Sequence, residues 1–248
     1  MEHIVETDET AFNRRSALEI AELIKKKADI RICFATGATT KGIYHELADL
    51  HRHEGLDFSQ VTAFVLDEYE GASADNPASC LARLNDQLFD RVNMKKSNIS
   101  SIASTSTDLH QVSKEYEQHI GLAGGIDLML LGIGTNGHIG FNEPGSPFHS
   151  TTRVVPIGED TIHARAHMFG SSEEVPKTGV TMGIKTIMNS RQIFLFAKGV
   201  NKAAMLEKAL FGPITQDIPA SVLQLHPALT VIADEEAASG LPHRSMNY

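Results

Sequence analysis

Short apolar runs alternate with amphipathic stretches along this chain, and this alternation constrains its fold more than any other feature. The intervening stretches, such as residues 11–27, place apolar residues at the spacing that is typical of a helix. Strands that alternate with helices predict a mostly parallel sheet with helices on both faces. We therefore expect a doubly wound, Rossmann-like α/β fold. The apolar runs that predict its strands span residues 30–35, 61–66, 126–131, 153–157, 192–197 and 229–233.

Length, hydrophobic content and net charge limit the number of domains and the binding partners that the chain can have. The chain has 248 residues, 42% of them hydrophobic, and no repeat or linker divides it. A single domain over residues 1–248 is therefore predicted. The formal net charge of -9 argues against general binding of nucleic acid or anionic membranes. No apolar run approaches the roughly 20 residues that a membrane span needs.

The number and spacing of the cysteines bear on the cellular compartment of the protein. Cys33 and Cys80 lie far apart and match no metal-binding spacing. The first eleven residues lack the charged and then apolar pattern of a secretory leader. We therefore expect a cytoplasmic protein without a disulfide framework.

Residues 130–146, LLGIGTNGHIGFNEPGS, form the most distinctive stretch. An apolar strand runs into a turn with three glycines, where the backbone can bend sharply or approach a ligand closely. Asn136, His138 and Glu143 lie within that turn. A glycine-rich turn with solvated polar residues is the plain alternative. We favour a site, because open α/β sheets place their chemistry at the ends of strands.

The turn after the first predicted strand has the composition of a phosphate cradle. Glycine and hydroxyl residues between a strand and a helix offer free N–H groups, hydroxyls and the positive helix end. The turn is not a Walker loop, because the Gly-Lys-Ser/Thr ending is absent. A threonine that only caps the helix explains the same pattern equally well. The residues concerned are Thr36, Gly37, Ala38 and Thr39.

Two charged residues extend the predicted site. Asp67 follows the strand at 61–66 and is a candidate general base, although a solvated loop carboxylate is the more common case. Lys202 stands near the start of a helix, where a cation is unfavourable unless it meets an anion or water. Right-handed crossovers would bring the ends of these strands to one edge of the sheet. That convergence predicts a pocket for a small phosphorylated molecule that undergoes proton transfer.

The segment 159–174 is predicted to be a mobile lid. It is polar and histidine-rich, and Gly170 and the two serines after it are a candidate hinge. His163 and His167 stand one helical turn apart, but no third ligand has recognisable spacing. We therefore expect no metal site here.

The long motif GIGTNGHIGFNEPGS, together with LDEYEG at residues 66–71, resembles the glucosamine-6-phosphate deaminase (isomerase) family. The Thr-Gly-x-Thr turn, IPASVLQLHP at residues 218–227 and Lys202 extend the resemblance over nearly the whole chain. The resemblance implies a doubly wound α/β fold and conversion of glucosamine 6-phosphate to fructose 6-phosphate and ammonia. It implies no metal or organic cofactor. The implied partner is a small amino-sugar phosphate, and a homo-oligomer remains open.

The resemblance also implies residue roles. Asp67 would move a proton between C2 and C1 of the open-chain sugar. His138 would open the ring, oriented by Asn136 and Glu143. The threonine turn and Lys202 would hold the phosphate, with Arg165 or His167 from the lid.

Three departures from the family pattern bear on the substrate. Asn136 stands where some relatives have Asp, and Cys80 stands where the family usually has Tyr. The family's lid arginine falls near His167, so Arg165 or His167 would replace it. The departures at Cys80 and in the lid lie around the substrate and leave galactosamine 6-phosphate open as the substrate.

The sequence gives less support to three other activities. A 6-phosphogluconolactonase is disfavoured by the Phe-Asn-Glu-Pro run that ends near Glu143. A non-catalytic sugar-phosphate sensor would have no need of Asp67, His138 and Glu143 together. A dehydrogenase is poorly supported, because no G-x-G-x-x-G opens the first helix.

Overall fold

The fold is organised around one parallel sheet. The structure, a computed structural model, describes residues 1–242, apart from the side chains of residues 160 and 164. The last six residues of the predicted domain, 243–248, lie outside the described residues. In chain order the strands are β1 (Glu2–Glu6), β2 (Arg31–Phe34), β3 (Thr62–Val65), β4 (Asp67–Tyr69), β5 (Ile99–Ser100), β6 (Leu128–Gly132), β7 (Arg153–Pro156), β8 (Thr178–Thr181), β9 (Gln192–Ala197) and β10 (Leu229–Asp234).

Helices fill the connections between the strands. They are α1 (Glu9–Lys26), α2 (Ala38–Glu54), α3 (Cys80–Gln87), α4 (Leu109–Leu122), α5 (Glu159–Phe169), α6 (Ile184–Met188), α7 (Ala203–Phe211) and α8 (Glu235–Ala238). Short 3₁₀ helices occur at Phe89–Arg91, Lys96–Asn98, Val200–Lys202 and Pro219–Leu225. No helix within residues 1–242 is both long and apolar enough to cross a membrane.

Local sequence signals begin several of these helices. Asp8, Ser79, Asp108 and Asp234 are the N-cap residues of α1, α3, α4 and α8, and each side chain accepts a hydrogen bond from a backbone N–H of the first turn. Such caps satisfy N–H groups that have no partner inside the helix.

The sheet separates two hydrophobic cores. Successive side chains of a strand point to opposite faces. In β9, Phe194 and Phe196 join the core beneath α1, α2 and α3, whereas Ile193 and Leu195 join the core beneath α4, α7 and α8. These buried strands therefore carry almost continuous apolar sequence, which is typical of a parallel sheet covered on both faces.

The order of the strands fixes where a ligand can bind. The seven-stranded sheet has the order β1-β10-β9-β6-β2-β3-β5, with all neighbours parallel. From β2 the chain proceeds outward through β3 and β5. It then returns to the other side of β2 as β6 and proceeds outward through β9 and β10. The order reverses between β2 and β6, and the carboxyl ends of the strands there frame a crevice. The doubly wound fold predicted from the sequence is confirmed.

The strand predictions were incomplete. A second, antiparallel sheet of order β4-β8-β7 packs beside the first, and β8 was not predicted. Asp67 was expected in a loop, but it begins β4 and pairs with Thr181. The edge strands β1 and β5 were also missed. These segments are short or polar and carry little of the apolar pattern that identifies a strand.

Candidate active site

A cavity of about 770 Å³ opens at the carboxyl edge of the sheet, over the point where the strand order reverses. It lies between the loop after β2 and the loop after β6. Most of the residues predicted from the sequence line it. They are Thr36, Gly37, Ala38, Thr39, Asp67, His138, Arg165, His167 and Lys202. Asn136 and Glu143 do not line the cavity, but both lie beside His138, which does.

A carboxylate and an amide hold the imidazole of His138 in place. Asn136 Oδ1 lies 2.8 Å from His138 Nδ1, and Asn136 Nδ2 donates a 2.8 Å hydrogen bond to Glu143 Oε2. His138 Nδ1 is 3.6 Å from the same carboxylate oxygen, a distance suited to charge attraction and too long for a hydrogen bond. The predicted orienting roles of Asn136 and Glu143 have this geometric support.

The contacts of Asn136 also determine the proton position on His138. A carboxylate accepts only, so the amide must turn its NH₂ group to Glu143 and its oxygen to the imidazole. Nδ1 of His138 must then carry the proton and donate a hydrogen bond to Asn136 Oδ1. In the neutral ring, Nε2 is left as an unprotonated acceptor. His138 is therefore prepared to take a proton at Nε2.

Glu143 is kept ionised by its neighbours. Burial alone would raise the pKa of Glu143, but contacts with His138 and Thr161 outweigh burial and lower the pKa to about 2. Thr161, on α5, donates a 2.8 Å hydrogen bond to Glu143 Oε1. The lid segment is thus joined directly to the residues that orient His138.

Two glycines allow the His138 loop to pack this closely. A Cβ at Gly134 would overlap the imidazole of His138. Gly140 has a φ of 58°, and a Cβ there would lie 2.8 Å from Thr181 Oγ1 and 3.4 Å from Asp67 Oδ2. A side chain at Gly134 would displace the imidazole, and one at Gly140 would displace the Thr181 hydroxyl beside Asp67.

Asp67 is a buried carboxylate at the base of the cavity. It is only 6% exposed, and burial raises its pKa to about 6 although Cys80 and nearby cations oppose the shift. The thiol of Cys80 lies 3.4 Å from Asp67 Oδ1. A carboxylate whose pKa approaches neutrality is a more effective general base than an ordinary one.

The neighbouring Glu68 has a structural task. Its carboxylate accepts hydrogen bonds of 2.9–3.0 Å from the backbone N–H groups of Tyr69, Cys80 and Leu81. Two of these donors belong to the first turn of α3. Glu68 therefore fixes α3, and with it Cys80, beside Asp67.

The threonine turn after β2 is available to a ligand. The N-cap of α2 is Gly37, and no side chain caps that helix. Thr40, the next threonine, donates its hydroxyl hydrogen to the Ala35 carbonyl. The alternative of a capping threonine is therefore wrong, and the first turn of α2, whose N–H groups have no side-chain cap, lines the cavity.

Cations surround this turn. Lys202 is the N-cap residue of α7, and burial and the charge of Arg165 lower its pKa. Arg165 comes from α5 and is partly buried, whereas His167 is exposed. A cation at a helix N-terminus, close to a second cation, is unfavourable unless an anion lies between them.

Several residues of the site were missed from the sequence. Arg83, Gln87, Tyr69 and Thr161 line the cavity or contact its residues. Cys80, Arg83 and Gln87 recur at helical spacing on α3, so the departure noted at Cys80 could have pointed to the other two. No sequence pattern identifies Thr161.

The histidine pair on α5 does not form a cluster. His167 lines the cavity, whereas His163 is exposed and does not line it. Among residues 1–242 no group of three or more His, Cys, Asp or Glu side chains is placed to hold a metal ion.

Known proteins resemble this chain over almost its full length. Residues 7–232 match the model of the family described as glucosamine-6-phosphate isomerases/6-phosphogluconolactonase. A glucosamine-6-phosphate deaminase of Thermoanaerobacter pseudethanolicus is 40% identical over 99% of this chain and 97% of its own length.

Solved structures share the fold. A monomeric glucosamine-6-phosphate deaminase superposes with a TM-score of 0.94 at 42% identity, covering 97% of this chain and 100% of its own. A 6-phosphogluconolactonase of Trypanosoma brucei has a TM-score of 0.77 at 21% identity, covering 97% of this chain and 98% of its own. The lactonase is too distant in sequence to indicate more than the fold.

Proposed function

This chain belongs to the family of glucosamine-6-phosphate isomerases and 6-phosphogluconolactonases, and from that premise we propose that it converts glucosamine 6-phosphate to fructose 6-phosphate and ammonia. Membership confirms the family predicted from the sequence motifs. Relatives named as deaminases, at 40–43% identity over nearly the full chain, support this reaction over the lactonase alternative. The observation that carries the proposal is that a buried carboxylate and an oriented imidazole line one cavity with a cluster of cations.

His138 opens the sugar ring in this proposal. Its unprotonated Nε2 takes the proton of the O1 hydroxyl, and the same proton is then delivered to O5 as the C1–O5 bond breaks. The open-chain sugar has an aldehyde at C1, which acidifies the proton on C2. Glu143 and Asn136 fix the orientation of the ring that performs this transfer.

Asp67 then moves the proton along the chain. Its carboxylate takes the C2 proton, and the ammonium group on C2 supplies the proton that O1 gains, which leaves an enolamine with a double bond between C1 and C2. The protonated Asp67 returns its proton to C1 and leaves a protonated ketimine at C2. Water hydrolyses the ketimine to a ketone and releases ammonia. A pKa of about 6 suits both the uptake and the return of a proton near neutral pH.

The cradle and the cations hold the phosphate. The N–H groups and hydroxyls of residues 36–39, together with Lys202 and Arg165, form an anion site at one end of the cavity. Arg165 is assigned this role over His167, because its charge acts on both Lys202 and Asp67 and its side chain is the less exposed. Phosphate binding fixes the sugar so that C2 meets Asp67.

Two finer assignments accompany the reaction. The last step adds water across a C=N bond, so the enzyme is classed as a hydrolase as well as an isomerase. Cys33 and Cys80 are both buried free thiols, and we place the protein in the cytoplasm.

Ammonia release from glucosamine 6-phosphate and galactosamine 6-phosphate, measured in parallel, tests the proposal. We expect release from the gluco substrate and a loss of roughly 10²- to 10⁴-fold in Asp67→Asn, the range typical of a missing general base. Asp75→Asn removes an exposed carboxylate and is the matched control.

Each outcome has a separate meaning. Release from the galacto substrate alone would change the assigned sugar, and release from neither would sink the deaminase assignment. Full activity in Asp67→Asn would show that another group is the base.

A further inference from the structure

Arg83 faces the cavity and forms no ion pair with a carboxylate among the described residues, although the charge of Asp67 acts on it from a longer distance. It lies on α3 and lines the cavity, and its Nη1 donates a 3.2 Å hydrogen bond to Thr36 Oγ1. Among the residues that the structure describes, no carboxylate lies within 4.0 Å of its guanidinium. Burial and the charge of Arg165 lower its pKa. A partly buried cation that repels a second cation is costly unless an anion offsets it.

Other arginines at similar depth have partners. Arg31 forms an ion pair with Asp127, with 2.8 Å between Nε and Oδ2. Arg153 donates to Asn142 Oδ1 at 2.8 Å and to Ser146 Oγ at 3.3 Å. Among the described residues, Thr36 is the one hydrogen-bond acceptor of the Arg83 guanidinium, so most of its five N–H donors have no protein partner there.

A second polar group on the same face of α3 is incompletely hydrogen-bonded among residues 1–242. Gln87 follows Arg83 by one helical turn, lines the cavity and is 5% exposed. Its Oε1 has no hydrogen-bond partner within residues 1–242. Buried amide groups are normally paired. Two polar groups on one helical face, each with part of its hydrogen-bonding capacity unused, indicate that a polar ligand completes this wall.

The position of Thr36 identifies the end of the ligand that Arg83 meets. Thr36 is the first residue of the cradle, and its own hydroxyl hydrogen points to Cys80 Sγ at 3.3 Å. The hydrogen bond to Thr36 therefore holds Arg83 against the turn after β2. Arg83 comes after β3 in the chain and Lys202 comes after β9, and these two strands lie on opposite sides of β2 in the sheet. The geometry adds a cation from α3 to the cations from α5 and α7.

We propose that Arg83 is a further phosphate-binding residue, which donates to the oxygens of a phosphate monoester beside Thr36. The inference rests on the proposed function for the identity of the ester, an amino-sugar phosphate. A guanidinium can offer two parallel N–H groups to a phosphate, whereas a lysine offers a single point of charge. Gln87 meets the same ligand, or a water that the ligand retains.

Calorimetric titration measures this role without catalysis. The probes are inorganic phosphate and the amino-sugar alcohol phosphate that results when the C1 aldehyde of the substrate is reduced. We expect Arg83→Gln to weaken both by roughly 10- to 100-fold, the effect of one lost charged hydrogen bond. Arg83→Lys should weaken both by several-fold. Arg91→Gln, which removes an exposed guanidinium outside the cavity, should bind as the native protein does.

The proposal is overturned if Arg83→Gln binds both probes like the native protein, whether or not its melting temperature falls. If that variant does not fold, the comparison of Arg83→Lys with Arg91→Gln decides the matter in the same way. Native protein that binds phosphate through Arg83 but releases no ammonia would sink the deaminase function alone. Ammonia release with unchanged phosphate binding in the variants would sink the role of Arg83 alone.

Discussion

Two carboxylates of the site have opposite environments, and the difference assigns their tasks. Burial raises the pKa of Asp67 to about 6, so this group can take up and return a proton. Glu143 is also partly buried, but its contacts with His138 and Thr161 lower its pKa to about 2. Glu143 therefore stays ionised and orients its neighbours. Pairs of groups whose environments separate their pKa values are typical of acid–base sites.

Cys80 is expected to lower the pKa of Asp67, and with it the pH below which activity is lost. Its thiol donates to Asp67 Oδ1, a contact that favours the ionised base. Cys80→Ala removes the donor, so the pKa of Asp67 rises further and a higher pH is needed to ionise it. The acidic limb of kcat/KM should move up by about half to one pH unit.

A pH profile of Cys80→Ser provides the control. Serine keeps a hydroxyl donor near Asp67 and should return the acidic limb to about its native position. An unchanged profile in Cys80→Ala would show that the thiol does not act on the base.

At the level of elements, the sequence predicted the parts of the site that follow long apolar strands. The runs before Thr36 and His138 are buried on both sides, so their pattern is strong and their ends could be located. The parallel arrangement then places both ends at one edge. Asp67 was placed correctly at this edge for the same reason, although β4 itself was not predicted.

Helix α3 shows why other parts could not be predicted. Its position depends on Glu68, whose carboxylate binds N–H groups 12 and 13 residues further along the chain. That long-range contact fixes the start of α3, from which Arg83 and Gln87 reach the cavity. The sequence of this helix contains no signal for the neighbour that it meets.

Helix α5 and the residues after it are expected to behave as a lid. Thr161 at one end donates a hydrogen bond to Glu143, and Phe169 at the other packs edge to face against Tyr69 with 5.2 Å between ring centroids. Between these contacts Arg165 meets the cavity, so a bound phosphate would add an anchor in the middle. Without ligand, hydrogen exchange in residues 159–174 should be faster than in α1. The amino-sugar alcohol phosphate should slow the exchange of residues 159–174.

The comparison of residues 159–174 with α1 in the same sample controls for changes in global stability. Slow exchange in this segment both with and without ligand would contradict a mobile lid. Equal protection of α1 and the lid by the ligand would indicate global stabilisation only.

Across the whole molecule, the charge of the cavity differs from that of the chain. The net charge is -9, yet Arg83, Arg165 and Lys202 meet at one cavity. An acidic protein repels anions in general, so capture of a phosphorylated sugar depends on this local cluster and on the cradle N–H groups. The local arrangement explains how an acidic chain can select an anionic substrate.

Burial of Asp67 should lower the free energy of unfolding of the whole molecule. A carboxylate with a pKa raised from 3.8 to about 6 keeps its proton in the folded state at pH values where the unfolded chain has lost it. Stability therefore falls as the pH rises from about 4 to about 6, and stays lowered above that range. Asparagine has a similar shape and does not ionise. At pH 7 Asp67→Asn should unfold at a higher temperature than the native protein, by roughly 5 °C for a cost on the order of 2 kcal/mol.

Thermal unfolding of both proteins between pH 4 and pH 8 measures this cost. The advantage of Asp67→Asn should shrink towards zero at pH 4, where the native Asp67 is protonated, and Asp75→Asn should show no such trend. A variant that is inactive and also less stable at pH 7 would mean that contacts of the ionised Asp67, such as that with Cys80, outweigh the cost of its burial. A gain in stability with loss of activity would instead show that the buried Asp67, although it is needed for activity, lowers the stability of the native protein.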